Sequence, residues 1–252
     1  MLKKRIIASI IVKKDIAMQS FSYSSYLPIG DPVILVENFD RWGVDEILVH
    51  SIDRSKDSLG PDIKLLKRIA SMGISTPLIY GGGIQSVEEG ISVIHSGAER
   101  LSLCSLITNT EILKQLVSKI GKQAIILSVP FYEKNKTFYL YNYLNKTLEQ
   151  ELNKDFFTRL QDYCSEIILI DAKNDGGLNS FNYDICNLIP SLSIDFICFG
   201  GITDSIQITR ILSHQNIQAV AIANSLSYRE HQYQLIKNSI KLENIRESKY
   251  QK

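Results

Sequence analysis

The sequence lacks the features that mark membrane, nucleic-acid-binding and secreted proteins. No apolar run approaches the roughly 18 residues that a transmembrane helix requires. The chain has 28 basic and 27 acidic residues, a net charge of +1 and no basic block, which excludes the charge pattern typical of nucleic-acid or anionic-membrane binding. The N-terminus has too short an apolar run for a signal peptide and no small-residue cleavage site, so we expect a cytoplasmic protein.

Cysteine and histidine are sparse and show none of the spacings typical of metal sites. The cysteines lie inside apolar stretches without a CxxC pair, which predicts buried free thiols; they are Cys104, Cys164, Cys186 and Cys198. The four histidines, His50, His95, His214 and His231, are scattered along the chain. We therefore expect no disulfide and no bound metal, and no motif indicates a cofactor.

What the sequence does contain is one repeated unit, a short apolar run followed by a turn and an amphipathic helix. The apolar runs span 5–12, 46–52, 77–80, 100–104, 124–129, 166–171, 195–199 and 219–223. Strands that alternate with helices at this spacing form parallel sheets. Eight such units predict an α/β fold, a single-domain (βα)8 TIM barrel over residues 1–252. An open doubly wound sheet is the alternative.

Two glycine-rich turns recur about half a chain apart. The segment YGGGIQSVEEGISVIHSG (80–97) resembles CFGGITDSIQITRILSHQ (198–215), and Gly83 and Gly201 stand 118 residues apart. This repeat predicts two similar half-barrels with the turns facing each other across the barrel mouth. Bare backbone N–H groups before a helix bind phosphate, so the pair indicates a substrate with an anionic group at each end. Two unrelated glycine turns are the alternative.

Motifs spread along the whole chain resemble the HisF family, the cyclase subunits of imidazole glycerol phosphate synthase. They are KRII (4–7), GDPV (30–33), VDEILV (44–49), YGGGI (80–84), SGAERLSL (96–103), NDGG (174–177) and FGGI (199–202). The sister isomerase family, HisA, shares the glycine turns. The resemblance implies that a HisH glutaminase docks on the bottom of the barrel. Ammonia would then pass through the barrel to a bis-phosphorylated substrate at the top.

The resemblance also implies two catalytic carboxylates, and both positions lack an acid in this chain. The position on strand 1 is Ile11 and the position on strand 5 is Pro130, and neither side chain exchanges a proton. Substitute acids are available nearby, at Asp15, Asp53, Glu133 and Asp171. Each is displaced from the family position, and a shift of one residue along a strand turns a side chain to the other face.

Further site residues follow from the same resemblance. Phosphate binding is expected at Gly82, Gly83, Ser105, Asp175, Gly176, Gly200, Gly201, Asn224 and Ser225, although each is also an ordinary turn or cap residue. An ammonia gate is expected at the bottom of the barrel, at Arg5, Glu46, Arg100 and Glu166. Charges so close to the barrel axis must pair with one another, whereas four separately solvated strand-start charges are the alternative. Glu99 falls where the family offers an acid to the glutaminase.

These features predict a HisF-like synthase subunit of a glutamine amidotransferase complex, paired as a heterodimer with a HisH-like glutaminase. It would relay ammonia to a phosphorylated or otherwise anionic acceptor. Divergent members of the family are associated with surface-sugar biosynthesis, which implies a third partner, a sugar amidotransferase that makes an acetamidino group. The alternatives are a working cyclase in histidine biosynthesis with substitute acids, a non-catalytic scaffold, and an isomerase of the sister family.

Two segments stand outside the repeated unit. Residues 131–147 alternate aromatic and polar side chains, which predicts a β-hairpin on the barrel top. Its tyrosines either bind a sugar or a partner, or only stabilise the hairpin through cross-strand pairs. Residues 242–252 are rich in charge and are expected to form a frayed tail.

Overall fold

A computed structural model describes residues 3–247 and contains twelve strands and seven α-helices in that range. The strands are β1 (Arg5–Lys13), β2 (Ile16–Phe21), β3 (Ser25–Gly30), β4 (Glu46–Ser51), β5 (Leu78–Gly81), β6 (Arg100–Leu103), β7 (Ile125–Lys134), β8 (Thr137–Asn142), β9 (Thr147–Glu151), β10 (Glu166–Asp171), β11 (Asp195–Phe199) and β12 (Ile217–Ile222). The helices are α1 (Pro32–Arg41), α2 (Ile63–Ala70), α3 (Val87–His95), α4 (Thr110–Ile120), α5 (Lys154–Leu160), α6 (Ser205–Leu212) and α7 (Gln232–Ser239).

Eight parallel strands close into a barrel, which confirms the fold predicted from the sequence. They pair in the order β1, β4, β5, β6, β7, β10, β11 and β12, and β12 returns to β1. Each coincides with a predicted apolar run within a few residues, except that β7 continues to Lys134. The third and seventh barrel strands, β5 and β11, lead into the two glycine turns. These turns therefore lie on opposite sides of the barrel top.

Polar caps fix where the helices begin and so shape the barrel top. The Asp31 side chain accepts a hydrogen bond from the Val33 N–H at 2.8 Å, and Pro32 follows as the first helical residue of α1. Ser86 and Glu89 form a reciprocal capping box at the start of α3, with bonds of 3.2 and 3.1 Å. A 3-10 helix, Tyr183–Leu188, stands where the sixth barrel helix would lie.

Two antiparallel extensions rise from opposite sides of the barrel top. β2 and β3 continue from β1, and β8 and β9 continue from β7. The rings of Tyr23 and Tyr141 meet edge-on with centroids 6.1 Å apart, which joins the two extensions. The sequence predicted a hairpin at 131–147 but not β9 or the β2–β3 hairpin. The turn between β2 and β3 places Ser22 and Tyr23 at φ 49° and 54° without a glycine, so it carries no turn signal.

Buried polar contacts at the bottom attach α7 and the C-terminal segment to the barrel. Lys237 Nζ lies 2.5 Å from Asp45 Oδ2, which also accepts the Ile6 N–H at 2.8 Å. Lys4 exchanges backbone hydrogen bonds with the segment around Ile245, and residues 248–252 of the predicted tail lie outside the described range. No helix within residues 3–247 is long and apolar enough to cross a membrane.

Candidate functional site

Four charged residues meet at the bottom of the barrel, each the first residue of its strand. Arg5 Nη1 lies 2.6 Å from Glu46 Oε1, and Arg5 Nη2 contacts Glu166 Oε1. Arg100 contacts Glu166 closely but reaches Glu46 only at 3.8 Å. The four residues predicted as a gate therefore form one alternating ring, hereafter the basal ring, whose Glu46–Arg100 side is the loosest. The side chains are only 7–15% exposed.

The basal ring keeps unused hydrogen-bonding capacity. Glu46 Oε2 and Arg100 Nε are buried and have no hydrogen-bond partner among the described residues. Burial raises the pKa of Glu46, and the charge of Arg5 counters that effect. Burial alone would lower the pKa of Arg5, but its two carboxylate neighbours raise it above its ordinary value. Glu166 Oε2 also lacks a hydrogen bond, although it forms an ion pair with Arg100, so the buried ring does not use all of its donors and acceptors.

Glu99 lies beside the basal ring, one residue before β6, and its side chain is exposed. Its Oε2 accepts the Leu78 N–H at 2.5 Å, at the start of β5. The carboxylate therefore has a fixed position on the lower face. Its role as a partner contact stays a prediction.

Above the basal ring, the barrel interior changes from apolar to polar. The first interior layer consists of apolar side chains, Ile7, Leu48, Ile79, Ile126, Ile168 and Ile197. Ser9 follows on β1, and its buried hydroxyl has no partner among the described residues. His50 Nε2 lies 2.8 Å from Ser102 Oγ, which lies 2.7 Å from Ser128 Oγ. No motif in the sequence indicates this chain of three side chains.

A cavity of about 400 Å³ opens at the top of the barrel, directly above His50, Ser102 and Ser128. Its wall includes Ile11 and Pro130, the two positions where the resemblance implies catalytic carboxylates. Tyr23 and Tyr143 line it from the two antiparallel extensions. The cavity has the size of an ordinary small-molecule site.

The four substitute acids differ in their position relative to this cavity. Asp53 lines it, and its Oδ2 accepts the Lys14 N–H at 2.7 Å. Asp171 instead accepts hydrogen bonds from Asn174 and Asn182, which fixes the loop after β10. Glu133 is bonded to Lys136 and Lys173, and Asp15 is exposed in the turn after β1. Of the four, Asp53 alone lines the cavity.

The glycine turn after β5 lies against a neighbouring loop. A side chain at Gly82 would lie 2.1 Å from the Ser51 carbonyl oxygen, and one at Gly83 would lie 2.1 Å from the Gly60 carbonyl oxygen. The Gly83 N–H donates to Ser55 Oγ at 3.0 Å. Close packing against the end of β4 and the loop that follows it therefore leaves no room for a side chain at Gly82 or Gly83. Phosphate binding there, and at Ser105 on the cavity wall, stays a prediction.

The glycine turn after β11 is partly closed by the β2–β3 hairpin. Ser20 exchanges two hydrogen bonds with the Asn224 amide, at 3.1 and 2.7 Å, and its hydroxyl donates to Asp175 at 2.6 Å. The remaining space, about 20 Å³, is lined by Gly176, Gly200, Gly201 and Ser225. The Ser225 hydroxyl is buried without a partner among the described residues. This volume suits about one water molecule, and anion binding there stays a prediction.

Comparisons with known proteins agree along nearly the whole chain. The family described as "Histidine biosynthesis protein" matches residues 5–232. A Vibrio vulnificus (strain YJ016) protein, provisionally named imidazole glycerol phosphate synthase subunit hisF2, is 30% identical over 92% of this chain and 86% of its own. The imidazole glycerol phosphate synthase subunit HisF of Staphylococcus aureus (strain MRSA252) is 26% identical over 96% of this chain and 97% of its own.

Proposed function

Because the chain belongs to the histidine biosynthesis protein family and, within it, to the HisF group, we propose that it is a HisF-like synthase subunit of a glutamine amidotransferase complex. It receives ammonia from a HisH-like glutaminase at the bottom of the barrel. It transfers that ammonia to an acceptor bound in the cavity at the top.

The observation that carries this proposal is the basal ring beneath the cavity. Four buried charges at the mouth of a barrel are costly to desolvate, and an all-apolar closure of similar volume is often at least as stable. Their presence therefore supports a role other than stability. The unpartnered Glu46 Oε2 and Arg100 Nε offer an acceptor and a donor to a molecule as small as ammonia.

The acceptor in this proposal differs from the substrate of the family's cyclases. Ile11 and Pro130 on the cavity wall provide no proton-exchanging group at the two positions where the family uses carboxylates. The antiparallel extensions bring several tyrosines to the cavity rim, where aromatic faces suit a sugar ring. We therefore extend the proposal to surface-sugar biosynthesis, in which a separate sugar amidotransferase forms an acetamidino group.

The experiment is a co-purification with the HisH-like glutaminase of the same organism, followed by a glutamine hydrolysis assay. A stable interface would bury on the order of 1,600 Å². Salt would screen the attraction between charges at its rim, so the affinity of the complex should fall as the salt concentration rises. We expect complex formation at low salt and faster glutamine hydrolysis in the complex. No association, or association without a change in hydrolysis, would contradict the relay and favour a stand-alone or scaffold protein.

A matched pair of variants locates the interface. Glu99→Gln keeps an oxygen to accept the Leu78 N–H but removes the charge, so it should weaken docking without disturbing the fold. Glu88→Gln removes an exposed charge at the start of α3, at the opposite end of the barrel, and should have no effect. Equal behaviour of the two variants would exclude Glu99 from the interface.

A second candidate function is a working cyclase, because Asp53 brings one carboxylate to the cavity wall. Turnover of the family's substrate with ammonium supplied directly would support it. In that case Asp53→Asn should lower turnover by about 10²–10⁴-fold, the usual contribution of a general acid or base. We expect no turnover in the wild-type protein.

A further inference from the structure

The floor of the cavity is formed by three polar side chains from three different strands. His50 lies near the end of β4, Ser102 on β6 and Ser128 on β7. Consecutive members are 2.8 and 2.7 Å apart, so they form one continuous hydrogen-bonded chain. Both serines are almost completely buried, at 4% and 1% exposure.

The direction of the hydrogen bonds in this chain follows from the need to satisfy every buried donor. If Ser128 donates to Ser102 and Ser102 donates to His50 Nε2, each hydroxyl proton has an acceptor. Each direction leaves one donor without a partner among the described residues: the Nδ1–H of His50 in the first, and the Ser128 O–H in the reverse. Ser128 is only 1% exposed, whereas His50 is half-buried and lines the cavity, where water can accept its proton. A buried donor without a partner is costly. The first direction therefore prevails, and the proton of a neutral His50 lies on Nδ1.

Two features keep the imidazole neutral and aim it into the cavity. Burial lowers the pKa of His50 to about 4, so the ring is uncharged at neutral pH. A side chain at Gly81 would lie 2.8 Å from His50 Cδ2, so the edge with Cδ2 and Nε2 faces β5 and β6. The opposite edge, with Nδ1, is turned away from those strands, and no hydrogen bond within the described residues engages it.

The surroundings of this nitrogen are apolar and favour an uncharged partner. Ile11 is the direct ladder neighbour of His50, and the Phe199 ring lies 6.4 Å from the imidazole between centroids. A charged ligand group placed directly between Ile11 and Phe199 would lose hydration against two apolar side chains. The charged residues of the cavity, such as Lys14 and Asp53, lie elsewhere on its wall. A carbonyl oxygen needs only one hydrogen-bond donor there.

We propose that the His50 Nδ1–H binds and polarises an uncharged carbonyl oxygen of the acceptor, with Ser102 and Ser128 as positioning residues that hold the imidazole tautomer. That the attacking nucleophile is ammonia rests on the proposed function. As the ammonia lone pair forms the C–N bond, the C=O π pair moves to oxygen, where the Nδ1–H stabilises the developing charge. One proton then passes from nitrogen to oxygen, which leaves a neutral carbinolamine. A neutral imidazole that polarises a carbonyl is an established arrangement in enzymes.

The test is nitrogen NMR of histidine-labelled protein, which needs neither the acceptor nor the glutaminase. We expect Nδ1 of His50 to be the protonated nitrogen and Nε2 the unprotonated one, unchanged between pH 5 and pH 8. Ser102→Ala should release this preference, whereas Ser105→Ala, a hydroxyl on the same cavity wall bonded to the Ile84 carbonyl, should not. A proton on Nε2, or an unchanged tautomer in Ser102→Ala, would overturn the proposal.

Acetamide serves as the carbonyl probe. It should shift the His50 Nδ1–H resonance of the wild-type protein, and Ser102→Ala should bind it about three- to tenfold more weakly, the usual value of one hydrogen bond. Acetate should cause a smaller shift, since it is charged. Absence of any acetamide effect would overturn the proposal. If glutaminase docking fails while these results hold, the proposed function fails and the carbonyl site remains.

Discussion

Replacing Arg5 by methionine should reveal how unequal the sides of the basal ring are. Arg5 contacts both Glu46 and Glu166, whereas Arg100 contacts Glu166 closely and Glu46 only at 3.8 Å. Without Arg5, Glu46 retains one distant charge partner inside a buried site. Without Arg100, both glutamates still contact Arg5. Methionine fills much of the volume of the arginine stem, so the comparison isolates the charge.

Arg5→Met should lower the free energy of unfolding strongly, because the carboxylate of Glu46 stays buried but loses its nearest positive charge. Removing one partner of a buried ion pair typically costs about 3–5 kcal/mol. We expect a loss in this range in the free energy of unfolding of Arg5→Met at pH 7.5, and a clearly smaller loss for Arg100→Met. Urea unfolding of the two variants, with slopes matching the wild type, measures both values. The double variant with Glu46→Gln should recover part of the loss.

The free energy of unfolding of Arg5→Met should also depend on pH, and the direction of that dependence follows from the pKa of Glu46. The pKa of Glu46 is already raised by burial from its ordinary value of 4.5, and removing Arg5 removes the main opposing charge. The folded variant then holds a proton that the unfolded chain has released. Its free energy of unfolding must therefore fall as pH rises from about 4.5 through the folded pKa. Equal losses for Arg5→Met and Arg100→Met, or a loss independent of pH between 5 and 8, would refute this account of the ring.

Two further predictions concern the glycine turns. Gly83→Ala should destabilise more than Gly121→Ala in urea unfolding. Both have a positive φ (74° and 81°), which costs a side chain on the order of 1–3 kcal/mol, but only Gly83 would also meet the Gly60 carbonyl. Burial raises the pKa of Asp175 to about 6, so its contribution to stability is greatest at low pH and is lost as pH rises through 6. The free energy of unfolding of the wild type, relative to Asp175→Asn, should fall between pH 4 and pH 7. A constant difference would contradict this.

The barrel and the basal ring are readable in the sequence for the same physical reason. Buried parallel strands are continuous apolar runs, so β1 (RIIASIIVK) and β10 (EIILID) are evident without any structure. A charged residue at the first position of such a run must lie at the barrel mouth. Four of them on different strands then converge because the strands close into a ring.

The β2–β3 hairpin and the cavity floor were not readable in this way. The hairpin turn uses non-glycine residues at positive φ, so its sequence resembles an irregular loop. The floor residues are 52 and 26 positions apart along the chain. No spacing rule joins His50 to Ser102 and Ser128. Only the strand register and the choice of inward face bring them together.

That register explains how a cavity without an acid at Ile11 still has a polar floor. Ile11 pairs directly with His50 in the β1–β4 ladder, so both side chains face the barrel interior at one level. Two positions before Pro130 on the same strand, Ser128 also faces inward and joins the chain that begins at His50. The hydrogen-bonded chain therefore begins at His50, the ladder neighbour of Ile11, and ends at Ser128, on the strand that carries Pro130. The proposed change of acceptor, from one that needs two carboxylates to one whose carbonyl is polarised by His50, would account for Ile11, Pro130 and His50 together.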